Sequence, residues 1–86
     1  MSLEVKKHFV MWAKSSCGYC DKAKTLLSTG DHSHTIFTMD DSPELLDKVQ
    51  EKFGYYTVPV IIVRHSDGEA RFVGGFTDLQ ELLEKT

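Results

Sequence analysis

The sequence predicts an α/β fold, a mixed four-stranded sheet flanked by helices on both sides, with element order βαβαββα. Three observations carry this expectation. Short apolar runs of strand length alternate with segments whose apolar residues recur at helical three- and four-residue spacing. The first three elements form a βαβ unit, whose crossover sets two strands parallel. The pair Asp67-Gly68 then marks a tight hairpin, which adds two antiparallel strands.

Phe9-Val10-Met11-Trp12-Ala13 is continuously apolar, as in a strand covered on both faces. A helix follows from about Gly18 to Ser28, with Cys20, Ala23 and Leu27 on one face and Leu26 alongside. Thr29-Gly30-Asp31 ends it. His34 to Met39 reads as the second strand. Ser42 is the expected N-cap of a second helix, Pro43 its first residue and Gly54 its stop. Its core face is read as Leu45, Leu46, Val49 and Phe53. Val58 to Val63 is the third strand, Ser66-Asp67-Gly68-Glu69 the turn, and Ala70 to Val73 the returning strand. Gly74-Gly75 breaks that strand, and Thr77 with Gln80 forms a capping box for a last helix buried through Leu79, Leu82 and Leu83.

At 86 residues the chain is expected to be one domain, residues 1–86, that buries only about 60% of its unfolded surface. With 41% hydrophobic residues it can fold without staples. Its net charge of -3 argues against nucleic-acid binding, which usually needs a basic face. No apolar run approaches the roughly 20 residues of a membrane span. Met1 to Lys7 lacks the apolar core of an export signal, so a cytoplasmic location is expected. There, two cysteines read as catalytic or metal-binding rather than structural.

Those cysteines form Cys17-Gly18-Tyr19-Cys20, placed between an apolar strand and a helix. The free N–H groups of a first helical turn favour an anion, so a sulfur at Cys17 is stabilised as the attacking thiolate. Cys20 heads the buried stripe of the same helix, whereas Cys17 sits exposed at its tip. A zinc site would have to recruit His32 and His34. Their one-residue separation misses the usual spacing and would aim them to opposite faces of a strand. Trp12 is expected to pack under the active-site loop. Asp40-Asp41 with Glu44 reads as a solvated loop and helix start. Tyr55-Tyr56 reads equally as a partner surface or as loop packing.

Four motifs, in register over about Lys6 to Glu84, carry a resemblance to a known family. They are Lys14 three residues before the first cysteine, Cys17-Gly18-Tyr19-Cys20, Thr57-Val58-Pro59, and Gly74-Gly75-Phe76-Thr77-Asp78. In these the chain resembles the dithiol glutaredoxins, a branch of the thioredoxin-like fold. The resemblance implies a cis Pro59 beside the dithiol, with the Val58 backbone turned out to pair with an incoming peptide as a short edge strand would. Gly74-Gly75 would admit a ligand backbone closely. The N-terminus of the last helix would offer N–H groups to a carboxylate.

The implied ligand and reductant is glutathione. By resemblance, Lys14 would pair with its glycyl carboxylate, and Tyr19 would flank its sulfur. Thr57, Val58 and Pro59 would form the wall, with Val58 bonding the cysteinyl backbone. Gly75, Thr77 and Asp78 would hold the γ-glutamyl end. Implied partners are disulfide-containing or glutathionylated proteins, with the chain itself a monomer. The sequence departs from the family pattern at Gly18, where dithiol members usually carry proline, and at Tyr56, where a basic residue often stands. It departs again near Leu46 or Asp47, where a polar carboxylate-binding residue is usual. Two other readings stay open. One is an electron donor to ribonucleotide reductase, recharged by a thioredoxin reductase. The other is a carrier of a [2Fe-2S] cluster held between two chains by Cys17 and glutathione sulfur.

Overall fold

A computed structural model describes residues 6–84; most of the stretch read for an export signal lies outside them. The elements are β1 (Lys7–Ala13), α1 (Gly18–Thr29), β2 (His34–Thr38), α2 (Pro43–Phe53), β3 (Val60–His65), β4 (Ala70–Gly74) and α3 (Phe76–Glu84). The strands form one sheet in the order β2-β1-β3-β4. β1 runs parallel to β2 and antiparallel to β3, and β3 runs antiparallel to β4. This is the mixed four-stranded sheet of the thioredoxin-like fold.

Register decides what each face of the sheet carries. Phe9 pairs with Val63 and Met11 with Ile61, so these four side chains share one face. They form the core there with Ala13, with Cys20, Ala23 and Leu27 of α1, and with Leu79 of α3. The opposite face carries Trp12, paired with Phe37 and Val60, and Ile62, paired with Phe72. On this side the ring of Phe53, from α2, meets Trp12 at 6.4 Å and stacks on Phe72 at 5.1 Å.

Several local expectations shift. β2 ends one residue early, at Thr38; the buried Met39 instead donates its N–H to the Ala13 carbonyl. β3 begins at Val60 rather than Val58, because the Val58-Pro59 peptide is cis and Pro59 has no N–H for a ladder. The strand extends to His65, whose N–H bonds the Glu69 carbonyl across the hairpin. In α2 only Leu46 is buried; Leu45 is 52% exposed. Ser42 precedes that helix without a side-chain capping bond. α3 starts at Phe76, so Gly75 is its cap residue and the expected Thr77–Gln80 box does not form. Instead the Asp78 carboxylate reaches back to accept the Gly75 N–H at 3.0 Å. Trp12 does not underlie the active-site loop; it stacks on Phe37 at 6.1 Å beside α2.

Candidate active site

β1 delivers the chain through Lys14-Ser15-Ser16 to Cys17, the N-cap of α1, whose φ of -134° and ψ of 109° are extended. Its carbonyl accepts the Asp21 N–H, the first bond of the helix. Its sulfur does what a Ser or Asp oxygen does at most N-caps, accepting the Cys20 N–H at 3.1 Å. The N–H of Cys20 and the N-terminal end of α1 thus both point at this sulfur. Cys17 is half-buried, and its Sγ also lies 3.8 Å from the Val58 carbonyl.

Cys20 lies one helical turn further on and is wholly buried, as the apolar stripe predicts. Burial, and then the neighbouring Cys17 thiol, push its pKa up from 9.0 to about 12, so it is a protonated thiol at neutral pH. The two sulfurs therefore differ in access, and Cys20 is the one held as a thiol. One can attack a disulfide from solvent; the other is held in reserve as a thiol within the core.

Two residues that sequence reasoning gave no role fix the loops that meet here. Asp40, read as solvated, accepts the Ser15 N–H at 2.9 Å and also the Ser15 hydroxyl, clamping the loop two residues before Cys17. The Ser15 hydroxyl, then its N–H, hold the Asp40 carboxyl below the usual range, with Lys14 adding to the effect. Gln50 of α2 donates its side-chain amide to the Thr57 carbonyl at 3.4 Å, bracing the loop before Pro59. Both contacts join distant parts of the chain, and neither has a local sequence signal.

A groove of about 250 Å³ opens beside the dithiol. It brings together Tyr19, Thr57, Val58, Pro59, Gly75, Thr77 and Asp78, all of them anticipated, and adds Tyr55 and Phe76. Lys14 is not among its lining residues. Leu46 is buried and offers no polar atom, and Tyr56 is 69% exposed outside the groove. Tyr19 forms an outer wall, its ring stacked on Phe76 at 6.2 Å and the Lys22 ammonium 5.3 Å over it. At the far end Gly74 takes a φ of 122°, and the Asp78 carboxylate occupies the space a Gly74 side chain would need. A larger groove of about 580 Å³ lies between β4 and α3 and shares Asp78. Neither groove is lined by a cysteine, but the smaller one holds Tyr19 of the dithiol motif and Val58, whose carbonyl lies 3.8 Å from Cys17 Sγ. His32 and His34 do not join the cysteines. His32 packs edge-on against Phe9, and the His34 ring bonds the His32 carbonyl at 2.7 Å.

Comparison with known proteins agrees with this arrangement. The glutaredoxin family model matches residues 9–67. The chain is 31% identical to glutaredoxin 3 of Escherichia coli K12 over 72 residues, which is 84% of this chain and 81% of that protein. The solution structure of glutaredoxin from Brucella melitensis superposes with a TM-score of 0.74 at 27% identity, covering 98% of this chain and 86% of that one. That of a dithiolic glutaredoxin from Trypanosoma brucei brucei gives 0.73 at 26% identity, covering 90% and 77%. A half-buried thiol capping a helix, a buried thiol one turn on, the carbonyl of Val58 from the cis Val58-Pro59 pair beside the first sulfur and this likeness converge: the chain belongs to the glutaredoxin family of thiol-disulfide oxidoreductases.

Proposed function

We propose that this chain is a dithiol glutaredoxin that reduces glutathione mixed disulfides and protein disulfides, with glutathione as its reductant. The observation that carries this reading is the division of labour between the sulfurs. Cys17 is half-buried with a donor on its sulfur, 3.8 Å from the carbonyl of Val58 in the groove wall, while Cys20 is buried and protonated beside it. The Cys17 thiolate attacks the glutathionyl sulfur, a new S–S bond forms, and the substrate leaves as a thiolate that takes a proton from water. The thiolate of a second glutathione then attacks the bound glutathionyl sulfur. Oxidised glutathione departs and the Cys17 thiolate is restored. With a protein disulfide, Cys17 first makes a mixed disulfide to the substrate. Cys20 attacks the Cys17 sulfur, its proton passing to the departing substrate thiolate, which closes an intramolecular bridge and releases the reduced protein. Two glutathione thiols then return the bridge to the dithiol and leave as oxidised glutathione.

The groove supports glutathione at its α3 end. Val58 keeps its backbone N–H unpaired among the described residues, ready for an extended cysteinyl segment. Asp78 suits an ammonium, and the unpaired N–H groups of the first turn of α3 suit a carboxylate. The decisive experiment measures reduction of a glutathionylated peptide, coupled to NADPH through glutathione reductase. Wild type and Cys20→Ser are expected to turn over and Cys17→Ser to be inactive. Retained turnover in Cys17→Ser overturns the assignment.

One observation favours a second reading, an electron donor to an enzyme such as ribonucleotide reductase, recharged by a thioredoxin reductase. Among the described residues no cationic side chain lines the groove: Lys14 is not part of its lining and Leu46 is buried. Recovery of the dithiol with thioredoxin reductase but not with glutathione would select that reading.

A further inference from the structure

Tyr55 stands in the groove wall without having entered the chemistry above. Its backbone N–H bonds the Gln50 carbonyl at 3.0 Å, just past the end of α2. Its ring packs edge-on against Phe72 at 5.4 Å, and Phe72 is itself stacked on Phe53. The ring is thus packed on one side and its backbone fixed before any ligand arrives. Its hydroxyl crosses to α3, so close to Gly75 that a Cβ there would lie 2.5 Å from it. Yet the hydroxyl has no hydrogen-bond partner among the described residues and is open to solvent. A phenol placed at a groove with its hydroxyl bonded to no protein group is arranged to bond what fills that groove.

We propose that Tyr55 is a specificity-determining residue, whose hydroxyl donates to a carboxylate of the thiol-bearing ligand beside Gly75 and Asp78. The Gly75 N–H is spent on the Asp78 carboxylate, so the donors left at this end are the first-turn amides of α3, the Thr77 hydroxyl and the Tyr55 hydroxyl. The Asp78 carboxylate supplies an acceptor alongside them. Donors and an acceptor side by side match a free α-amino acid end, which carries both a carboxylate and an ammonium. A disulfide on small neutral thiols has no such end and gains nothing from the hydroxyl. This rests on the glutathione reading above, because glutathione presents a free amino acid end.

The test uses Tyr55→Phe, which keeps the ring and its packing on Phe72 and removes only the oxygen. Pre-reduced wild type and variant are mixed with a glutathionylated peptide, or with bis(2-hydroxyethyl) disulfide, which has no carboxylate. Single-turnover rate constants are then compared. With the glutathionylated peptide Tyr55→Phe is expected to lose about tenfold, the size of a modest hydrogen bond to a charged group. With the hydroxyethyl disulfide it is expected to match wild type. In steady state the loss should appear in KM, with kcat nearly unchanged. Equal rate constants for the two proteins toward the glutathionylated peptide overturn the assignment of Tyr55. So does an equal loss with both disulfides, which would mean that the hydroxyl acts on Cys17 rather than on the ligand. Wild type reacting no faster with the glutathionylated peptide than with the hydroxyethyl disulfide overturns the glutathione reading itself, and this proposal with it.

Discussion

On the face covered by α1 and α3, Phe9, Met11, Ala13, Cys20, Leu27, Ile61 and Leu79 are almost entirely sealed from water. On the other face α2 alone covers the strands, one residue of that helix is fully buried, and Phe37 and Phe72 remain 47% and 41% exposed. The contrast separates two tasks. The sealed face fixes the dithiol, since Cys20 is itself a core residue and Cys17 caps the same helix. The open face carries Tyr55 through the Phe53–Phe72 stack, and so carries the wall against which a ligand is read. Chemistry is anchored where the packing is densest, and recognition hangs from where it is looser.

The sharpest way to break this comparison is to cut equal side chains from the two faces. Leu27→Ala should cost about 2–5 kcal/mol in denaturant unfolding, the range for a buried leucine that leaves a cavity. Leu45→Ala, on the exposed side of α2, should stay within about 0.5 kcal/mol of wild type. Similar losses from both would mean that the faces are packed alike.

A second test asks whether Cys20 behaves as a core residue. Its folded pKa of about 12 lies above its ordinary value of 9.0, so the folded chain keeps a proton that the unfolded chain releases between them. The stability associated with that proton is fully present below about 9 and is lost as pH rises toward about 12. Reduced wild type should therefore lose stability through that window more steeply than Cys20→Ala. Parallel pH profiles would show that Cys20 is solvated.

The smallest expected effect concerns the tip of α1. Gly18 is the first helical residue, and a Cβ built there meets nothing within 4 Å. Cys17 before it is extended, the conformation that a following proline requires. Gly18→Pro should raise stability by about 0.4–1 kcal/mol, acting through the unfolded chain. A loss of stability would show that the Gly18 N–H has a structural partner.

What could be read from the sequence was whatever local spacing controls. Cys20, Ala23 and Leu27 announce their common face, and Asp67-Gly68 announces the hairpin. The different fates of the two cysteines follow from their places on one helix. Where two patterns overlapped, packing chose between them. Leu45 and Leu46 both fit a helical stripe with Val49, and only contact with the sheet selects Leu46. Thr77–Gln80 and Gly75–Asp78 are both spaced as caps, and the break at Gly74 fixes the start of α3 one residue before Thr77. Contacts made by the loops had no signal: Asp40 on Ser15, Gln50 of α2 on Thr57, Tyr55 against Gly75. Each has a loop residue on at least one side, where no periodicity exists to be read. The position of Tyr55 two residues before Thr57-Val58-Pro59 was the one available hint.

The close approach of Tyr55 to Gly75 means that two distant positions in the chain share one small volume. Their substitutions are therefore not independent. A side chain at position 75 requires the phenol at 55 to move or be cut back, so the cost of a change at 75 depends on what stands at 55. The width of the groove is inherited as a property of the pair.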